Sequence, residues 1–209
     1  LIDCININKN IKDCSNMFRN CINVVEFSST NWNTSNVTNM YGMFQGCNKL
    51  TTLDVSNWDT TNVTDISAMF SRLGNLTNIG STTNWNTSNV TNMGYMFNQT
   101  RITELDVSNW DTTKVTNMSN MFNNCIGLTA LDVSNWNISN VNNMDSIFLN
   151  CKLLTTLDVS NWNTSKVTNM GGMFFGCNSL TTLDVSNFDT SNVTIMYNMF
   201  YNCNKLTTL

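Results

Sequence analysis

The chain has 209 residues, with ten Lys and Arg against 14 Asp and Glu, a net charge of -4 and only 11% charged residues. That balance, with no basic run, argues against a nucleic-acid footprint, and no apolar run is long enough to span a bilayer. The sequence contains no histidine, which removes the commonest general base and most metal sites.

A single stretch, Leu157 to Cys177, is copied from end to end. The closing aromatic of each copy falls at Phe18, Phe44, Phe70, Phe97, Phe122, Phe148, Phe174 and Phe200, at steps of 25 to 27 residues. A second aromatic keeps nearly the same step through Trp32, Trp58, Trp85, Trp110, Trp136, Trp162 and Phe188. A fixed period of this length predicts one solenoid domain over residues 1–209, because a unit this small cannot bury its own apolar face and must stack.

Residues 1–21 are a degraded first copy, in which Ile2, Cys4 and Ile7 take the Leu, Val and Trp places. Residues 22–47 carry Ser28 where later copies have Asp, and 48–73 restore Leu-Asp-Val-Ser-Asn-Trp but end on Leu73. Residues 74–100 are the least regular, with Ile79-Gly80-Ser81-Thr82-Thr83 in place of Leu-Asp-Val-Ser. The frame recovers by Leu105 and holds to Cys203. The chain opens at Leu1 and stops at Leu209 part-way through a repeat, so it reads as a piece of something longer.

Within one copy, the alternating Leu-x-Val predicts a short strand, and Asn-Thr-Ser-Asn after Trp predicts a turn. Val-Thr-Asn-Met predicts a second short strand, and Met-Phe-x-x-Cys-x-x-Leu fits one tight helical turn. At about 4.8 Å per coil, eight coils make a rod about 38 Å long. The absence of Pro suits coils that need their ladder donors.

The ordered motif Leu-x-x-Leu-Asp-Val-Ser-Asn-Trp-Asp-Thr-Ser-Asn-Val-Thr-Asn-Met-x-x-Met-Phe-x-x-Cys resembles the 26-residue repeat of BspA-like leucine-rich-repeat surface proteins, strongly over residues 22–209 and weakly over 1–21. The resemblance implies a right-handed leucine-rich-repeat-like solenoid of short parallel strands. It also implies a cell-surface or extracellular protein, in bacteria often a lipoprotein or wall-attached and found also in some parasitic protists, that mediates adhesion or protein recognition.

Six of the eight cysteines (Cys21, Cys47, Cys125, Cys151, Cys177 and Cys203) sit three residues after the closing Phe. Cys14 falls in the Met column and Cys4 in the Val column, so every cysteine occupies an otherwise apolar place. A ladder of buried thiols is preferred to a disulfide framework or a metal site. The Met column reads as core filler, and the Trp column as turned inward, since six stacked exposed Trp would form a large sticky patch. The Asn before each aromatic (Asn31, Asn57, Asn84, Asn109, Asn135, Asn161 and Asn187) is expected to form an amide ladder between coils. Asn-Val-Thr sequons at Asn36, Asn62, Asn89 and Asn192 follow from the repeat.

No phosphate loop, nucleotide turn or zinc pattern is present, so neither an enzyme nor a cofactor is expected. The candidate binding residues are the outward column Asp54, Asp106, Asp132, Asp158 and Asp184, flanked by Thr156, Thr182 and Ser160. It reads either as a solvated face that tolerates like charges or as a stripe for a cation or basic partner. The expected partner is a host or matrix protein on this strand face. The alternative is self-association of open solenoid ends into a fibre or sheath.

Overall fold

The computed structural model describes residues 7–209. Each unit wraps into one coil, and consecutive coils are joined by parallel bridges. One column of bridges runs Asp13–Asn39–Asp65–Asn92–Asn117–Asn143–Asn169–Ile195, and a second joins Thr52 to Asn78, Ala130 to Thr156 and Thr182 to Thr208. The chain is a repeat solenoid. Its bridges are isolated, so each short strand expected from Leu-x-Val and Val-Thr-Asn-Met shrinks to a single paired residue. Ile2 and Cys4 lie outside the described residues.

The strands are short because turns crowd them. In coil 48–73, Asp54 Oδ1 accepts the Ser56 amide at 2.9 Å, Asp59 Oδ1 the Thr61 amide at 3.0 Å, and Asp65 Oδ1 the Ser67 amide at 2.8 Å. Coil 152–177 repeats this at Asp158, Asn163 and Asn169. Each is an Asx turn, in which a short polar side chain bonds to backbone two residues on.

Where the Met-Phe-x-x-Cys spacing predicts a tight helical turn, the described residues contain no helix. Turn bonds such as Met43 N to Met40 O (3.2 Å) and Cys47 N to Phe44 O (3.1 Å) alternate with bonds to the next coil, such as Gly42 N to Ser67 O (2.9 Å) and Gly46 N to Ser71 O (2.9 Å). Two residues four apart take positive φ here, Gly42 and Gly46 in this coil, Asn120 and Asn124 further on. A residue in the left-handed region cannot propagate an α-helix. The chain therefore turns, and alternate amides are released to the neighbouring coil.

The core is a set of side-chain columns. The Phe rings stack with centroids 5.2 to 6.5 Å apart from Phe18 to Phe200. The six Trp are all buried, so the bend after Val55 turns them inward as the sequence predicts. The seven described cysteines are free. Beyond Cys21, those of the column that follows the closing Phe donate to the Phe carbonyl one coil back, as from Cys47 to Phe18 O at 3.0 Å and Cys151 to Phe122 O at 3.1 Å. Burial pushes the Cys47 thiol up to about 11 and those of Cys125 and Cys177 up to about 12, which leaves them protonated and inert.

The amide ladder falls on a different column from the one expected. Asn57, Asn109 and Asn135 are exposed, and of the Asn before the aromatics only Asn187 reaches another coil, at Ser160 O (2.9 Å). The ladder runs instead through the asparagines five residues further on. Asn36 Nδ2 donates to Lys9 O, Asn62 Nδ2 to Ser35 O, Asn140 Nδ2 to Thr113 O and Asn192 Nδ2 to Ser165 O, each at 2.7 Å. The Asn before the aromatic follows the Asp corner outward, whereas the later Asn lies beside a carbonyl of the coil behind it.

Buried Trp needs a partner for its indole N–H. Trp136 Nε1 donates to Val107 O at 3.0 Å and Trp162 Nε1 to Val133 O at 3.3 Å. Trp110 Nε1 is buried with no partner, because the coil behind it is the irregular 74–100. Removing the Trp136 bond costs about 1 kcal/mol beyond the packing change. Trp136→Phe is therefore expected to lower stability more than Trp110→Phe in denaturant titrations. Equal losses would show that these indole bonds contribute nothing.

Candidate binding groove

Alternation along Leu-Asp-Val sends Leu and Val inward and Asp outward, and Asp54, Asp106, Asp132, Asp158 and Asp184 are all exposed. Each carboxylate first serves its own corner. Oδ1 accepts both the amide and the hydroxyl of the Ser two residues on, at 3.1 and 2.7 Å for Asp106, 3.1 and 2.6 Å for Asp132, and 3.1 and 2.7 Å for Asp158. The Ser hydroxyl and amide hold the carboxyls of Asp54, Asp106 and Asp184 below the usual carboxylate range. Ser160 thus has a defined role as the partner of Asp158.

The coils part where Asp stacks on Asp. Asp54 faces the irregular coil, where Gly80 at φ 76° leaves no room for a Cβ beside the carboxylate. There the ladder is complete, with Leu53 N to Asn78 O at 3.2 Å and Val55 N to Ile79 O at 3.0 Å. No backbone bond joins residues 103–107 to 129–133, and one, Thr155 N to Thr129 O at 3.0 Å, joins that coil to the next. Like charges one coil apart oppose close approach but are not the whole cause, since no backbone bond joins residues 24–28 to 51–55 either, where Ser28 stands in the Asp place.

The parted coils form a shallow groove of about 580 Å³. Glu104, Asp106, Asp132 and Asp158 supply its charge, and Thr103, Thr129 and Thr156 its hydroxyls. Its floor is Leu105, Leu131 and Leu157, the last two 6% and 7% exposed against 1% for Leu53, where the ladder is closed. Four of the candidate residues, Asp106, Asp132, Asp158 and Thr156, therefore line one surface. Asp54, Asp184, Thr182 and Ser160 lie outside it; Thr182 is a bridge residue paired with Thr208, as Thr156 is with Ala130. Glu104, which the Leu-Asp-Val pattern does not mark, joins them as the one charged residue in the column of Thr52, Ala130, Thr156 and Thr182. No cluster of three or more acidic or thiol groups suited to a metal ion occurs among the described residues.

A family model described as "Mycoplasma protein of unknown function, DUF285" matches residues 5–81, 79–131 and 127–208. The chain belongs to this family. Among solved structures, the chain is similar to a leucine-rich cell-surface protein of Faecalibacterium prausnitzii, at 16% identity and a TM-score of 0.36 over 93% of this chain and 74% of that one. It is also similar to TLR13 in its complex with ssRNA13, at 17% identity and a TM-score of 0.41 over 84% of this chain and 25% of that one. A leucine-rich-repeat protein of Bacteroides ovatus gives 18% identity and a TM-score of 0.29, over 88% of this chain and 60% of that one. No curated protein matches.

Asn caps a corner of the same kind five residues further on, as at Asn137 and Asn163, so Asp132→Asn removes charge while keeping the Oδ1 acceptor. It is expected to raise stability by about 0.2–1 kcal/mol at low salt, with the gain shrinking as salt screens the column. Acid acts oppositely. The folded-state values of Asp54, Asp106 and Asp111 are lowered from 3.8 by Ser or Thr donors. Their contribution is complete above that value and is lost as pH falls through the lower folded one. Melting temperature should fall below about pH 4; a rise on acidification would show that repulsion outweighs the caps.

Proposed function

We propose that this chain is a non-enzymatic recognition module, displayed at a cell surface, that binds a basic segment of a protein partner along the Glu104–Asp158 groove. The observation that carries the reading is the groove itself: four carboxylates around an apolar floor on a scaffold of stacked coils. Alternating acidic and leucine positions match an extended chain bearing Lys or Arg on one side and apolar residues on the other. Among the described cysteines, the thiols of Cys47, Cys125 and Cys177 are held protonated, and the sequence offers no histidine as a base. Resemblance of the 26-residue repeat to BspA-like surface proteins supports adhesion as the setting and a lipid or wall anchor as the means of display.

The test is surface plasmon resonance against a panel of extracellular-matrix proteins and an alternating Lys-Leu peptide, with wild type beside the combined Asp106→Asn, Asp132→Asn and Asp158→Asn variant. The variant keeps its turn caps and is expected to bind at least about tenfold more weakly, or about 1.4 kcal/mol. Undiminished binding by a folded variant would sink the proposal. Growth of mass with concentration in light scattering, without binding to the panel, would favour the end-to-end fibre.

A further inference from the structure

In most columns one residue type recurs because the solenoid needs it, but the face formed by the left-handed turn residues changes from coil to coil. In the other coils these slots hold Asn or Gly, Ser146 apart, the residues that tolerate positive φ best. In the adjoining coils 48–73 and 74–100 all four slots hold something else: Ala68, Arg72, Tyr95 and Gln99, at φ 53° to 60°. Strained backbone that persists at several neighbouring positions marks a site where another demand has overruled the local one.

Three of those four residues line a pocket of about 410 Å³. Tyr41 and Tyr95, 37% and 46% exposed, stand two coils apart, and the small Ser67 and Ala68 leave the gap between them. Two coil steps span about 10 Å, enough to admit one ring between the two tyrosine side chains. The polar lining is pre-organised. Asn117 Nδ2 donates to Asn92 Oδ1 at 3.0 Å, Asn92 Nδ2 to Ser67 Oγ at 3.2 Å, and Asn98 Nδ2 to Ser71 Oγ at 3.2 Å. Gln45 Oε1, whose residue belongs to the same lining, is buried with no partner. Arg72 is the only charged residue in the lining, and Ala68 its only aliphatic one.

We infer that this pocket binds a saccharide ring carrying a carboxylate. Tyrosine faces suit the C–H side of a pyranose, amides and hydroxyls its hydroxyl groups, and Arg72 its acid group. An apolar peptide side chain would find no aliphatic wall here, and a cationic ligand no carboxylate. The site is separate from the acidic groove and does not depend on it.

Calorimetric titration with a tetrasaccharide of alternating glucuronic acid and N-acetylglucosamine, beside a neutral N-acetylglucosamine tetramer, tests the assignment. Tyr95→Asn and Arg72→Asn place in these slots the residues that coil 101–125 holds there, Asn120 and Asn124. Each is expected to raise the melting temperature, since Asn accepts the left-handed region more readily, and to weaken binding of the acidic tetrasaccharide by about tenfold. Wild type is expected to prefer the acidic over the neutral ligand by a similar factor. Binding that survives both substitutions, equal affinity for the neutral tetramer, or no binding of the acidic one overturns the inference.

Discussion

Satisfying the buried backbone without regular secondary structure is the constraint on which this structure depends. A coil made of turns and single bridges leaves amides and carbonyls that a helix or continuous strand would pair internally, and each unpaired buried group is costly. Side chains close the gap. Asx corners take one set of amides, and a buried threonine takes a carbonyl one coil ahead, as Thr34 Oγ1 does at Asp59 O (3.0 Å) and Thr164 Oγ1 at Asp189 O (3.0 Å). A further threonine column reaches back, as Thr64 Oγ1 does to Thr38 O (3.1 Å). The richness in Asn, Thr and Ser is therefore structural before it is a surface property.

The irregular coil 74–100 shows what the repeat normally supplies. Its insertion removes the acceptor for Trp110, brings Gly80 over Asp54, and so lets the ladder close there while it opens between the later Asp-bearing coils. The groove is thus a by-product of regularity, formed where identical charged corners stack. The tyrosine-flanked pocket has the opposite origin, since it lies where the repeat departs from its own preferred turn residues.

Period and alternation made the architecture legible, because the stacking requirement follows from any unit too small to bury its own face. Trp58 and Cys151 were assignable to the core for the same reason: six exposed indoles or a lone polar thiol column would contradict the apolar places they occupy. The turn after Met40 was not legible, because Met-x-x-Met-Phe spacing fits a helical turn equally well and only the positive φ of Gly42 and Gly46 decides against it. The amide ladder was misplaced because Asn57 and Asn62 recur with equal regularity, and choosing between them needs to know which corner faces the neighbouring coil. Of the outward aspartates, pattern located the whole column, while the groove around Asp106, Asp132 and Asp158 depends on what each one stacks against.

The ladder asparagines also bear on the Asn-Val-Thr sequons. At Asn36, Asn62 and Asn192 the nitrogen that a glycosyltransferase would modify is already the donor to the coil behind, at 2.7 Å. The folded solenoid thus engages the acceptor nitrogen at these exposed sites, and a sugar attached before folding would remove one donor from the seam it occupies. Production of this chain through a eukaryotic secretory route would set modification and coil stacking in competition for the same atoms.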